Sequence, residues 1–134
     1  MKIEPGEADL LANNFLVNSD VYWQNHYDFG FTCSKPQSMI GPDRAAEIVI
    51  NVLLPFAHAW GKYKKDNLLK DKTLTLYHHF HKTPTNGIEK HMFEQFTLKR
   101  KAINSACQQQ GLLHIYRTLC IQGKCSECKL SHNN

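Results

Sequence analysis

Three of the five cysteines fall near the C-terminus, in the run Cys120-Ile121-Gln122-Gly123-Lys124-Cys125-Ser126-Glu127-Cys128. Two thiols with two residues between them can reach one metal ion, and a third, four intervening residues upstream, can join them on a short turn. The chemistry implied is a zinc ion or an iron–sulfur cluster, and a closed site of either kind needs four ligands. Cys107 stands thirteen residues before Cys120 on the same expected helix, which separates them by about 20 Å along a straight axis. His114 is about 9 Å away by the same rise and faces another direction. His132, four residues past Cys128, has the better reach, whereas Cys33 can approach only through tertiary folding. The expected ligand set is therefore Cys120, Cys125, Cys128 and His132. A metal there would staple a C-terminal segment too poor in apolar residues to dock by burial, since ligation energy in small sites is folding energy. Reduced thiols, or a Cys125–Cys128 redox pair that packs the C-terminus, form the competing reading, and both stand at this stage.

Other constellations carry less. His78-His79-Phe80-His81 sets two imidazoles three residues apart on an expected helix face, yet no carboxylate follows at zincin spacing, and surface residues are the favoured reading. His26 beside Tyr22, Trp23 and Tyr27 reads as an aromatic cluster with a hydrogen-bonded imidazole rather than a catalytic base. No nucleophile elbow, pair of acids or phosphate-binding glycine loop is present, so catalysis by this chain alone is not expected. Residues 82–134 hold eight Lys/Arg against three Asp/Glu, while residues 1–81 hold eight against nine. Lys99-Arg100-Lys101, with Lys90, Arg117, Lys124 and Lys129, could meet the phosphates of a nucleic acid if they share a face. A solvated helix surface is favoured, because no stacking motif accompanies the charges.

The elements that must position these residues follow a helical period. A short helix or turn is expected over 7–15, and Asn18-Ser19-Asp20 supplies caps for a helix over 21–27, broken at Phe29-Gly30-Phe31. Gly41-Pro42-Asp43 opens the strongest helix, with Asp43 as its cap, and Ala46, Val49, Ile50, Leu53 and Leu54 form its buried face. Pro55 should kink it and Gly61 should end it. Further helices are expected over 68–81, 88–98 and 103–120. Lys82-Thr83-Pro84-Thr85-Asn86-Gly87 is a breaker, and Gly123 is a stop. No period-two run appears, and the Asn86-Gly87 pair lies between helical patterns. The expectation is an all-α fold: a small irregular bundle of about four to six helices with a cysteine-rich C-terminal turn.

With 134 residues, a single helical domain spanning 1–134 is expected. Apolar residues at 42% and charged residues at 21% are ordinary for a globular chain, which argues against disorder. The longest apolar stretch, 48–60, is interrupted by Asn51, Pro55 and His58 and is too short to span a membrane. Met1-Lys2-Ile3-Glu4-Pro5-Gly6-Glu7 lacks the apolar region of a signal peptide, so a cytoplasmic location is expected. In that compartment clustered cysteines point to metal or redox chemistry rather than disulfides.

The segments Tyr22-Trp23-Gln24-Asn25-His26-Tyr27-Asp28-Phe29-Gly30, Ile48-Val49-Ile50-Asn51-Val52-Leu53-Leu54-Pro55, Gln110-Gly111-Leu112-Leu113-His114-Ile115-Tyr116 and the three C-terminal cysteines occur in this order. Together they resemble successive landmarks, over roughly residues 20 to 130, of the C-terminal part of a bacterial family known as domain-of-unknown-function family 2851. Members of that family are much longer, so the resemblance implies a C-terminal domain, either a piece of a longer polypeptide or a shortened relative. It implies no reaction. The reading that emerges is a noncatalytic helical accessory or interaction domain that contacts a longer polypeptide or a protein partner through its aromatic N-terminal segment. The alternatives are a nucleic-acid-binding module built on the basic C-terminal helices and an iron–sulfur-bearing piece of a larger enzyme. Oligomeric state is not encoded in any pattern here.

Overall fold

Glu7 and Asp9 lie in the first turn of α1 (Glu7–Asn13), where carboxylates suit the helix dipole, and Ala8 and Ala12 bury one face. The computed structural model of the chain describes residues 6–98 and 102–130. Two compact units can be distinguished, Met1–Tyr77 and His78–Asn134, and each is described by itself.

In the first unit the cap foreseen at Asp20 forms, its carboxylate accepting from Trp23 N–H at 3.0 Å. The helix expected over 21–27 does not follow. The chain makes one turn and enters β1 (His26–Asp28), which pairs antiparallel with β2 (Phe31–Thr32). Asp28 faces Phe31 across the two-residue connection Phe29-Gly30, and Gly30 takes φ +79° there, a conformation that favours glycine. Backbone bonds from Cys33 N–H to Asn25 O at 2.7 Å and from Gln37 N–H to Gln24 O at 2.8 Å replace the helical ladder. An isolated bridge between Val17 and Ile40 ties the two ends of this excursion together. Among the described residues the fold is thus mostly helical, broadly as the all-α expectation has it, with one small two-stranded sheet that the expectation lacked. Strands of two and three residues are too short to display a period of two.

Gly41, not Asp43, is the N-cap of α2 (Pro42–Ile48); Pro42 takes the first helical position and Asp43 sits in the first turn. Pro55 does not end the run. It has no N–H for Asn51 and its ring crowds that carbonyl, and the helix widens to a π-helical stretch over Val49–Leu53, where Leu54 N–H bonds Val49 O. It continues as α3 (Leu54–Lys64). Gly61 is not the stop: the helix passes through it to Lys65, which takes the left-handed conformation. Gly61 is instead a point of close approach, since a Cβ there would lie 3.0 Å from Lys70 N and 3.2 Å from Asp66 O. Asp66 then caps α4 (Asn67–His79) by accepting from Leu69 N–H at 3.0 Å. Val49, Ile50, Leu54 and Leu76 form the buried centre of this unit.

The second unit gathers Phe80, Met92, Phe93, Leu112, Leu113 and Cys128 into its core. Asn86 caps α5 (Gly87–Gln95), accepting from Glu89 N–H at 2.8 Å. Ser105 caps α6 (Ala106–Ile115), which runs on as a π-helical stretch over Tyr116–Cys120. Gly123, with φ +65°, closes it as foreseen: Lys124 N–H bonds Leu119 O and Gly123 N–H bonds Cys120 O, the paired bonds of a Schellman motif.

The same pair of bonds closes α3 at Lys65 and α5 at Thr97, but there the left-handed residue carries a side chain, at φ 57° and φ 52°. A β-branched residue is poorly suited to that region. Thr97→Gly is expected to raise stability by about 1 kcal/mol, and Lys65→Gly to act in the same direction. Urea midpoints would read this, and a lowered midpoint for Thr97→Gly would show that glycine's chain entropy outweighs the relieved strain.

Candidate functional site

The C-terminal cysteines are set by the end of the α6 run. Cys120 is the last residue of the π-helical stretch, Gly123 reverses the chain, and a 3-10 turn over Cys125–Glu127 brings Cys128 back, its N–H bonding Cys125 O. Widening a helix by one residue per turn changes the angular position of everything after it, and such stretches recur at functional sites. The outcome is that Cys120, Cys125 and Cys128 line one small cavity of about 20 Å³ together with Gln95, Phe96 and Leu119. Cys128 is 3% exposed, Cys120 is half-buried and Cys125 is exposed, and all five cysteines of the chain are thiols. Burial, followed by the neighbouring Cys128 and Cys125, pushes the Cys120 thiol above its ordinary value. It therefore stays protonated near neutral pH, and a metal entering here must displace its proton.

Cys120 also meets a sulfur that the sequence pattern did not single out. Its thiol points at the thioether of Met92, Sγ to Sδ 3.9 Å, and Met92 is fully buried on α5. Among the described residues no group of three or more His, Cys, Asp or Glu side chains could hold a metal ion. His132 lies outside the described residues, as do Lys99, Arg100 and Lys101 of the basic cluster. Cys107 sits in the first turn of α6, at the far end of the helical run from Cys120, and Cys33 belongs to the first unit.

The histidines fall into separate settings. α4 ends at His79, and His81 pairs in an extended bridge with Ser105, so His78 and His81 do not share a helix face. His26 stacks on Tyr22 with centroids 4.0 Å apart, its Nδ1 2.8 Å from Tyr22 O. Trp23 meets Tyr22 edge-on at 5.0 Å and Phe29 at 5.2 Å. Tyr22, Trp23 and His26 thus cluster as expected, but with Phe29; Tyr27 stands apart and pairs with Phe31, and the tip of the hairpin is in solvent: Tyr27, Phe29 and Phe31 are 66%, 76% and 56% exposed. A second exposed stripe runs down α3 through Phe56, Trp60 and Tyr63, with Lys64 Nζ 5.0 Å from the Trp60 ring centre. Cation–π contact of this kind holds a side chain over the rings without covering them.

A buried polar network went unrecognised in the sequence. Glu89 is fully buried, paired with Lys82, and its other oxygen accepts from Gln109 Nε2 at 2.7 Å. Gln109 Oε1 in turn accepts from Thr83 Oγ1 at 2.7 Å and Thr83 N–H at 3.2 Å. The available signal was Asn86-Gly87-Ile88-Glu89, a capping-box pattern, though Glu89 turns away from the cap towards Lys82. In the first unit, the Glu7–Lys72 ion pair at 2.9 Å lies on a cleft of about 420 Å³ lined by leucines of α1, α3 and α4.

Fold and site together define a small, mostly helical protein with a C-terminal thiol cluster and an exposed aromatic hairpin. The chain belongs to the family described as "Protein of unknown function (DUF2851)", whose model matches residues 2–87. The Tyr22–Gly30 and Ile48–Pro55 landmarks lie within that match, and the Gln110–Tyr116 segment and the cysteine cluster lie beyond it. No curated protein and no solved structure matches the chain. No helix among the described residues is long and apolar enough to cross a membrane.

Proposed function

We propose that this chain is a noncatalytic helical interaction domain whose aromatic hairpin docks on a protein partner or on the rest of a longer polypeptide. The observation that carries this reading is the exposure of Tyr27, Phe29 and Phe31 on a hairpin whose rings contact one another edge-on and at a tilt. Aromatic side chains supply large contact area at small conformational cost and are enriched at interface centres. In the same reading a metal held by Cys120, Cys125 and Cys128 staples the C-terminal turn, and the protein works in the cytoplasm, where those thiols stay reduced.

A photo-crosslinking residue at position 29, expressed in the native host, should give a discrete protein adduct that is lost on Phe31→Ser, while thermal stability changes little because Phe31 is exposed. An adduct that is absent, or that forms equally from a crosslinker at Leu68, would count against the hairpin as the docking surface.

A further inference from the structure

We propose that the cleft between α1, α3 and α4 binds a neutral aliphatic molecule with a hydroxyl or amide head, the chemistry of a medium-chain alcohol or acyl amide. The cleft holds about 420 Å³, within the range of small-molecule sites, and all of its residues belong to the first unit. Its wall is aliphatic: Leu10, Leu11, Leu53, Leu54, Leu69 and Leu76 line it with Ala57, and among the described residues no aromatic ring does. Branched aliphatic walls hold a flexible chain by dispersion at many points and offer no face on which a planar ring can stack. Leu11, Leu53 and Leu69 remain half-buried around this space, so apolar area is left for an occupant to cover. Leu53 closes the π-helical stretch and Leu54 opens α3. The cleft therefore lies where that helix is widened, and such widenings recur at functional sites.

The charge at the mouth selects the head. Glu7 and Lys72 are the charged residues on the wall, ion-paired at 2.9 Å with side chains 29% and 43% exposed. Thr73 donates its hydroxyl proton to Lys70 O at 2.8 Å, and Asn14 donates its side-chain amide to Leu10 O at 2.8 Å, so both spend donors on helix carbonyls. The ion pair is left as the polar handle. It presents a donor and an acceptor side by side with no net charge. A hydroxyl or an amide can accept from the Lys72 ammonium and donate to the Glu7 carboxylate at once. A carboxylate ligand would be drawn to Lys72 and repelled by Glu7, and an alkylammonium would meet the reverse.

The test is titration of the full chain with hexanol, octanol and decanol, and with octanamide, octanoate and octylamine, followed by the NMR shifts of its leucine methyl groups. Shifts are expected at Leu11, Leu53, Leu69 and Leu76, with affinity rising about fourfold for each added methylene until the cleft is full. Octanol and octanamide should bind more tightly than either charged ligand, and the better of the two identifies the head. Glu7→Gln should move the preference towards octanoate and Lys72→Met towards octylamine, each by up to about fivefold, the effect of a partly exposed pair. Ala57→Phe fills the space and should abolish the shifts, with circular dichroism reporting that the helices are intact. Absence of shifts with every ligand, or shifts that spread equally to leucines of the second unit such as Leu112, would overturn the site. A parent chain that prefers octanoate or octylamine, or variants whose preference does not move, would overturn the neutral head.

Discussion

Lys82→Met is expected to destabilise the second unit by about 3–5 kcal/mol, the cost of stripping a buried charge of its partner. Glu89 is fully buried, and Lys82 is the cation paired with it. The Lys82 side chain is 24% exposed, so water screens the pair little, and its ammonium also lies 5.6 Å from the centre of the Phe93 ring. Methionine keeps an unbranched apolar side chain of similar length and removes the charge, which emphasises the electrostatic part of the effect. Gln109 would remain as a donor to Glu89 at 2.7 Å, but an amide dipole does not neutralise a carboxylate. Adding Glu89→Gln to the same chain removes the orphaned charge and should restore most of the loss, because an uncharged amide can still bond Gln109. Urea denaturation of the single and double variants, read by circular dichroism, measures both steps. A Lys82→Met variant as stable as the parent would mean that water reaches Glu89 and that the network is an incidental surface pair.

Gly61→Ala should destabilise the first unit by about 1–3 kcal/mol, the usual range for overfilling a packed site. Helix propensity alone predicts the opposite sign, since alanine is favoured over glycine in a helix interior by about 1 kcal/mol. The structure decides between them. A methyl group at Gly61 would stand 3.0 Å from Lys70 N and 3.2 Å from Asp66 O, and both atoms belong to backbone that is already engaged. Asp66 O accepts from Lys70 N–H at 3.1 Å, and Asp66 N–H bonds Gly61 O at 2.8 Å, so the turn from α3 into α4 cannot retreat without giving up its own hydrogen bonds. Gly111 on α6 has nothing within 4 Å of its would-be Cβ, and alanine there is the internal control, expected to stabilise. A Gly61→Ala variant that gains stability would show that propensity outweighs contact at this crossing.

Much of the helical content was legible in the sequence because its causes are local. Gly41-Pro42 opens α2 through a fixed proline φ and Gly123 reverses the chain after α6, whereas the equally local caps of α5 and α6 stand at Asn86, within the expected breaker, and at Ser105, within the helix expected over 103–120. Each of these acts within about five residues of itself, so spacing alone carries the information. The hairpin at 26–32 was not legible, since Asp20 caps a turn equally well whether or not a helix follows, and the outcome depends on bonds from Cys33 and Gln37.

What the sequence determined by itself is which residues can carry chemistry: three clustered thiols, an aromatic run around His26, and a breaker before α5. Only tertiary structure decided how those groups are used. Glu89 looks like an ordinary cap-proximal acid until Lys82 and Gln109 close around it from elements seven and twenty residues away. Gly61 looks like a helix stop until the backbone of α4 packs against it, and Met92 meets the Cys120 thiol from twenty-eight residues further on only within the packed core. The physical reason is common to all three. Capping and periodicity are interactions between near neighbours and leave a trace in the order of residues, whereas burial, close approach and sulfur-to-sulfur contact depend on distances that are set only when separate helices pack.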